Sequence, residues 1–332
     1  MPSYVAPTSH LQDIVGVRDM PLIHVNAGRD SPDLHDRPGV LGQYLPDLLA
    51  GNGPVILMLH GYKYAPGHVR ECPHRHILSL TPERDCFKVV SWPRGLGFGG
   101  DRADEGLGIG FGWNARGTLW QAYAEAARAG ERLAQLVRLI REHAPHRPVH
   151  AVAHSLGARV VLSALPHLPE GAFGRLILLA GAEFAGRAAE ALATPAGCRA
   201  EVINVTSREN DFYDFLLECL IPAPARGDRS LGLALSGGPK VINLQMDHPE
   251  TLSVLRRAGF EVANPTARIC HWSPYTRAGV FPMYRRLLRE AGTLPLAQLR
   301  AALPEHPAPR WSRLLPLPEV RLPLPSGRKL SS

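Results

Sequence analysis

Apolar and polar positions recur along the chain with two different periods. The clearest helical pattern has apolar or small residues at steps of three or four positions: Leu119, Tyr123, Ala126, Gly130, Leu133, Val137 and Ile140. This spacing puts them on one face of a helix. We therefore predict a helix over residues 118–143, and Pro145 and Pro148 should prevent its continuation.

Short continuous apolar runs predict strands that are buried on both faces. They cover residues 20–25, 54–62, 86–93, 148–153, 175–181, 200–207 and 239–246. Shorter helical patterns cover residues 41–50, 156–168, 186–194 and 279–292. Strands that alternate with helices indicate an α/β fold with a mostly parallel, doubly wound central sheet flanked by helices.

One junction between strand and helix, "HAVAHSLGARVVLSAL" at residues 150–165, carries a serine. A strand that runs directly into a helix needs a tight turn, and a serine at its apex is lifted clear of the sheet. Ala153 and Gly157, two residues before and after Ser155, would relieve crowding. Ser155 is therefore the candidate nucleophile; a serine that only caps a helix is the alternative.

Acyl transfer through a serine creates a negative oxygen that needs preorganised N–H donors. We expect one donor from Leu156, directly after the serine, and another from Tyr62 in "HGY", which closes the strand at 54–62. His60, Gly61 and His154 flank these groups and are assigned to the substrate-binding surface, although a packing role is also expected for His60.

A triad also needs an acid and a histidine. Asp211 follows the strand at 200–207, and His271 precedes the last predicted helix, which gives the chain order Ser155, Asp211, His271. Open alternatives are Asp214, Glu209 and Glu183 for the acid and His248 for the histidine.

With these residues the chain resembles the α/β-hydrolase superfamily. Within it, the chain looks most like a bacterial branch of serine hydrolases with H-G-Y, S-W-P and A-H-S-[ML]-G motifs, here at 60–62, 91–93 and 153–157. The resemblance covers residues 50 to 290. It implies an esterase-like serine hydrolase without a metal or cofactor. The glycine-rich segment after "SWP" and the long stretch before His271 depart from the branch.

Composition and charge narrow the possible functions. The net charge is +7, but the arginines are scattered, so nucleic-acid binding is not expected. The five cysteines form no C-x-x-C pair, and no signal peptide or 18-residue apolar run is present. A cytoplasmic location is therefore expected. His68, Cys72, His74 and His76 match no usual zinc pattern, and the glycine-rich runs fail as dinucleotide fingerprints, so no metal or cofactor is predicted.

The expected organisation is one hydrolase domain over residues 1–302, with its core at about 50–292, and a proline-rich tail at 303–332 that is either an extended strap or disordered. Residues 95–112 are expected to form a mobile loop near the pocket, and 215–238 either a small cap or a packed insertion. The predicted reaction is hydrolysis of a small, moderately apolar ester. An acyltransferase with the same residues and a non-catalytic binding protein are the alternatives.

Overall fold

The computed structural model describes residues 21–84, 86–100, 102, 104–233, 235–236 and 238–315. Its strands are β1 (Leu22–Asn26), β2 (Asp33–Leu34), β3 (Val55–Leu59), β4 (Leu107–Gly112), β5 (Val149–His154), β6 (Arg175–Leu179), β7 (Glu201–Thr206) and β8 (Val241–Gln245). Its α-helices are α1 (Leu41–Leu48), α2 (Trp92–Gly95), α3 (Leu119–His143), α4 (Leu156–Ala164), α5 (Ala185–Leu192), α6 (Pro195–Arg199), α7 (Asp211–Leu220), α8 (Pro249–Arg257), α9 (Ser273–Thr276), α10 (Val280–Arg289) and α11 (Leu296–Ala302).

The strands form one sheet in the order β2-β1-β4-β3-β5-β6-β7-β8. All neighbouring pairs are parallel except β1 and β2, which are antiparallel. Successive parallel strands must be joined by crossovers, and these crossovers carry the helices. The predicted α/β architecture is thereby confirmed, and the carboxyl ends of β3 to β8 lie along one edge of the sheet.

Helices cover both faces of the sheet, which explains why its strands are apolar throughout. In β3, Val55, Leu57 and Leu59 belong to one buried cluster, together with residues of α1, α3, α4 and α5. Ile56 and Met58 belong to a second cluster on the opposite face, together with residues of α2, α8, α10 and α11. This division follows from the alternation of side chains along a strand.

The strand predicted over residues 86–93 is wrong. Residues 86–91 form no strand, and α2 begins at Trp92 with Ser91 as its N-cap. Strand β4, which was not predicted, pairs instead with both β1 and β3. The mobile loop predicted at 95–112 is also wrong over Leu107–Gly112, because these residues form β4, an interior strand of the sheet.

Strand β4 is an interior strand in which every second residue is a glycine. Leu107, Ile109 and Phe111 alternate with three glycines and are buried in the core. A Cβ at Gly112 would lie 2.5 Å from His74 Nε2, and one at Gly110 would lie 3.2 Å from Leu78 Cβ. One face of β4 therefore has no side chains, because the chain segment around residues 74–78 packs directly on its backbone.

The long helix predicted over residues 118–143 is confirmed as α3. It begins with a capping box: the Thr118 hydroxyl accepts the Gln121 N–H, and the Gln121 side chain accepts the Thr118 N–H. Its apolar face packs on α4, the helix that follows Ser155. Helix α3 thus helps to hold α4, and with it the turn that carries the candidate nucleophile, in position.

The C-terminal part of the chain runs back over the edge of the sheet beside β8. Residues 303–315 form no helix or strand, and residues 316–332 of the predicted tail lie outside the described residues. In the possible cap at 215–238, Leu231 and Leu235 are buried in the core, whereas Phe215 and Leu220 of α7 are exposed. A role of this segment at a substrate pocket stays a prediction.

Candidate active site

Ser155 occupies the predicted sharp turn between β5 and α4. Its backbone has φ 56° and ψ −126°, a strained conformation for a residue other than glycine. Three backbone hydrogen bonds hold it there: Ser155 N–H donates to Leu179 O, and Ser155 O accepts from Ala158 and Ala182, each at 3.0 Å. The surrounding sheet and helix therefore stabilise a conformation that the serine alone would avoid.

Two glycines allow the chain to pack closely around Ser155. A Cβ at Gly61 would lie 2.6 Å from Ser155 Cβ, closer than such atoms approach in proteins. A Cβ at Gly157 would lie 2.7 Å from His60 O and 2.8 Å from Leu59 O. The small residue predicted two positions after the serine thus allows contact between α4 and the end of β3.

The two candidate oxyanion donors lie at the ends of neighbouring elements. Leu156 is the first residue of α4, whose first-turn N–H groups have no acceptor within the helix. Tyr62 follows β3, and its backbone N–H has no hydrogen-bond acceptor among the residues that the structure describes. The Tyr62 hydroxyl donates to Gly117 O at 2.7 Å, which anchors this loop to the start of α3.

His60 and His154 are buried, and their ring nitrogens contact protein groups. His60 Nδ1 donates to Gly61 O at 2.9 Å, and His60 Nε2 accepts the Trp113 N–H at 3.1 Å. His154 Nε2 donates to His271 O at 3.0 Å. Burial lowers the pKa of each to about 4, so both are neutral near pH 7. They orient the Gly61 loop and the His271 loop around Ser155.

His271 lies next to the elbow, just before α9. Its ring centroid is 4.5 Å from that of His154, the residue preceding Ser155. Burial lowers the pKa of His271 well below its usual range, and the nearby His154 and Lys88 lower it further. The Ser155 hydroxyl has no hydrogen-bond partner among the described residues. Catalytic hydrogen bonds often tighten only when substrate binds.

Asn210 holds the other side of the His271 ring. Asn210 Oδ1 accepts a hydrogen bond from His271 Nδ1 at 2.6 Å. The residues that precede these two also meet, because the Cys270 N–H donates to Glu209 O at 2.8 Å. With Nδ1 as the donor, the neutral ring keeps its lone pair on Nε2. Tyr213 stacks on the ring at 4.7 Å between centroids. These contacts fix both the tautomer and the orientation of the imidazole.

The predicted contact between Asp211 and His271 is replaced by the one from Asn210. Helix α7 begins at Asp211, so its side chain points in another direction from that of Asn210. Asp211 Oδ2 accepts the Trp311 N–H at 2.7 Å, and Asp211 Oδ1 lies 3.2 Å from Arg208 Nη1. The sequence did not indicate Asn210 in "SREND", because the acid of a triad is expected to be a carboxylate and Asn210 is an amide.

The alternative triad residues lie elsewhere. Glu209 pairs with Arg277, and Glu183 binds Arg159 and Tyr123. His248 caps α8, where its Nδ1 accepts the Glu250 N–H at 3.2 Å. These contacts give each side chain a structural role away from His271 Nδ1.

Asp214 lies four residues after Asn210, about one helical turn further along α7. It is fully buried, and burial raises its pKa to about 7, although Arg208, Ser230 and Asn210 oppose the rise. A Cβ at Gly232 would lie 1.9 Å from Asp214 Oδ2, so only glycine fits there. Asp214 thus packs behind Asn210 without replacing it at His271.

The remaining motifs show no ligand-binding geometry. His68 Nδ1 accepts two backbone N–H groups, His74 Nε2 lies 2.9 Å from Asn26 Oδ1, and Cys72 Sγ lies 3.7 Å from His35 Nε2. Within the described ranges, no group of three or more His, Cys, Asp or Glu side chains could hold a metal ion. Across those same ranges, no helix is both long and apolar enough to cross a bilayer.

A mostly parallel sheet with helices on both faces and a serine at the sharp turn after β5 defines an α/β-hydrolase fold. Among solved structures, the chain is similar to Trichoderma reesei cutinase in complex with a C11Y4 phosphonate inhibitor, at 13% sequence identity and a TM-score of 0.24. That match covers 46% of this chain and 62% of the cutinase chain, which is less than two thirds of the latter. No protein-family model and no curated protein matches the sequence.

Proposed function

We propose that this protein is a serine hydrolase that cleaves a carboxylic ester or a related acyl bond through an acyl-enzyme intermediate. The observation that carries the proposal is the strained Ser155 turn beside a neutral histidine that is held through Nδ1. Such a turn places a hydroxyl at the edge of the sheet, and a half-buried neutral imidazole is the base that the hydroxyl needs.

In this mechanism, His271 Nε2 takes the proton of Ser155 as Oγ attacks the substrate carbonyl. The N–H groups of Leu156 and Tyr62 stabilise the oxyanion, and His271 then gives its proton to the leaving alcohol. Water, activated by His271, attacks the acyl-enzyme and releases the acid. Asn210 keeps the Nδ1–H tautomer throughout, as an amide does in the Cys-His-Asn variants of this arrangement.

Aromatic side chains beside His271 support a moderately apolar substrate. Tyr213 stacks on the His271 ring, and Trp272 packs edge-on against both. Phe212 and Phe215 extend this apolar surface along the exposed side of α7. An acyl or alcohol group of moderate size would gain by covering these rings.

The first test is labelling with a fluorophosphonate probe, followed by mass spectrometry of the modified peptide. We expect modification of Ser155 in the native protein, loss of labelling in Ser155→Ala, and loss in His271→Ala. His248→Ala is the matched control, because His248 only caps α8, and it should label normally.

Two outcomes would contradict the proposal. A folded native protein that does not label would favour a binding protein on the hydrolase fold. Labelling that survives His271→Ala but fails in His248→Ala would assign the base to His248. Product analysis with added alcohol acceptors would then separate hydrolysis from acyl transfer.

A further inference from the structure

Residues 303–315, here called the C-terminal strap, cross the carboxyl edge of the sheet beside β8. None of them is buried, and all are half-buried or exposed, so the strap contributes little to either apolar core. Residues Leu303 to Pro307 border a cavity of about 800 Å³ next to β8. The strap is therefore attached mainly by hydrogen bonds and ion pairs, and these are concentrated in residues 308–313.

We propose that the C-terminal strap positions the two loops that bring Asn210 and His271 together, and that Arg313 is its key positioning residue. The inference rests on the proposed function, because it concerns the same histidine. Three separate attachments of the strap carry it.

The first attachment reaches the residue beside Asn210. The backbone N–H of Trp311 donates to Asp211 Oδ2 at 2.7 Å, and Arg208 approaches the other carboxylate oxygen. Trp311 adopts φ 68°, which is unusual for any residue except glycine. A strained backbone that points its N–H at a buried carboxylate indicates that the strap is held in place at this point.

The second attachment reaches the loop that carries His271. Arg313 donates to Ala267 O twice, from Nη2 at 2.7 Å and from Nε at 3.2 Å. Ala267 lies four residues before His271, in a stretch between α8 and α9 without regular secondary structure. A loop of this kind depends on contacts from other segments for its position, and Arg313 supplies one from outside the site.

The third attachment reaches the start of the Asn210 turn through two side chains. Ala308 N–H donates to Gln245 Oε1 at 2.8 Å, and Gln245 Nε2 donates to Asp247 Oδ1 at 3.0 Å. The same Asp247 oxygen accepts the Arg208 N–H at 3.0 Å. The strap thus contacts the segment that carries Asn210 and the segment that carries His271.

The test compares Arg313→Ala with Arg300→Ala in the full chain. Arg300 of α11 makes the same kind of contact, to Gly238 O at 3.1 Å, but away from the two site loops. We expect Arg313→Ala to slow fluorophosphonate labelling of Ser155 about tenfold or more, because small displacements of a catalytic group are costly. Arg300→Ala should label at the native rate, and the two variants should have similar unfolding midpoints.

A second readout does not require activity. The His271 Nδ1–H proton, observed by NMR, should exchange with solvent faster in Arg313→Ala than in Arg300→Ala, because its hydrogen bond to Asn210 is loosened. Equal labelling and equal exchange in the two variants would overturn the proposal. If the native protein does not label, the proposed function fails, while the exchange measurement still decides the role of the strap.

Arg313→Lys guards against a variant that merely unfolds. Lysine keeps one donor for Ala267 O, so labelling and exchange should fall between the native and Arg313→Ala values. If Arg313→Ala unfolds at a much lower temperature, and Arg313→Lys is less stable than native yet identical to it in labelling and exchange, then Arg313 acts only on stability and the positioning role is wrong.

Discussion

The hydrogen bond between His271 and Asn210 determines how the candidate base is held. An amide oxygen fixes the Nδ1–H tautomer, yet it carries no charge that would favour the imidazolium. Burial disfavours the charged ring and lowers the pKa of His271, and the nearby His154 and Lys88 lower it further. The site therefore keeps its histidine neutral at pH values where an exposed histidine, with a pKa of about 6.5, would be half protonated.

A pH profile of Ser155 labelling tests this arrangement. In the native protein the rate should fall only well below pH 6.5, because the free base persists to lower pH. Asn210→Asp places a carboxylate at His271 Nδ1 and stabilises the imidazolium. We expect this variant to raise the apparent pKa of the acidic limb by about one to two units.

The same pH profile distinguishes the role of Asn210 from that of Asp211. If Asn210→Asp leaves the profile unchanged and Asp211→Asn lowers the apparent pKa, then Asp211 is the group that acts on His271 and the original sequence prediction is restored. A profile with its acidic limb near pH 6.5 in the native protein would contradict the burial argument.

At the scale of elements, glycines explain where sequence patterns succeeded and where they failed. In α3, Gly130 occupies one of the apolar positions that predicted the helix, and the helix forms as expected. In β4, the alternation of glycine with Leu107, Ile109 and Phe111 is a strand pattern, but the high glycine content predicts a mobile loop, and that prediction is wrong. Glycine weakens a strand by itself, and only a neighbouring segment packed on its backbone makes it favourable.

Gly130→Ala tests this close packing in α3. The new Cβ would lie 2.6 Å from Ser163 Cβ and 2.8 Å from Val160 O, both on α4. Alanine gains about 1 kcal/mol in helix propensity. We nevertheless expect a net loss of about 1–3 kcal/mol in the free energy of unfolding, because α3 must move away from α4.

Gly42→Ala in α1 is the matched control, and the stability of both variants is measured by urea unfolding. No atom lies within 4 Å of a Cβ at Gly42, so this substitution should leave the protein as stable as native or more so. Equal effects of the two substitutions would show that helix propensity, and not contact between helices, determines the result.

At the scale of the whole molecule, Arg175 joins the sheet to the segment at the carboxyl end of α10. This arginine at the start of β6 is buried, and it donates to Leu287 O at 2.7 Å, Ala291 O at 3.1 Å and Leu294 O at 2.7 Å. Its Nε also donates to Glu201 at 2.6 Å. The guanidinium satisfies carbonyl groups around the carboxyl end of α10 that no sequence pattern associates with residue 175.

Arg175→Met should therefore destabilise the fold strongly. It leaves several partly buried carbonyl oxygens and Glu201 without their donor, and we expect a loss of about 3 kcal/mol in the free energy of unfolding. Arg199→Met removes an ion pair with Glu170 in which both side chains are exposed, and it should change stability by less than about 0.5 kcal/mol. Comparable losses in urea unfolding would refute the special role of Arg175.

Local sequence patterns were sufficient to predict the α/β alternation, the long helix over residues 118–143 and the turn at Ser155. These features depend on local periodicity and on small residues near one position, both of which are visible in a single stretch of chain. The sequence also indicated His271 as the histidine to consider, from its place before the last large helix.

The residues that meet across the edge of the sheet could be identified only from the folded chain. Three features join segments that are far apart in sequence. They are the pairing of β4 between β1 and β3, the contact of Asn210 rather than Asp211 with His271, and the attachment of the C-terminal strap. Helix phase directs Asp211 toward Arg208 and Trp311, and a shift of one residue is enough to exchange an amide for a carboxylate. Such choices depend on three-dimensional packing, which the order of residues along the chain does not display.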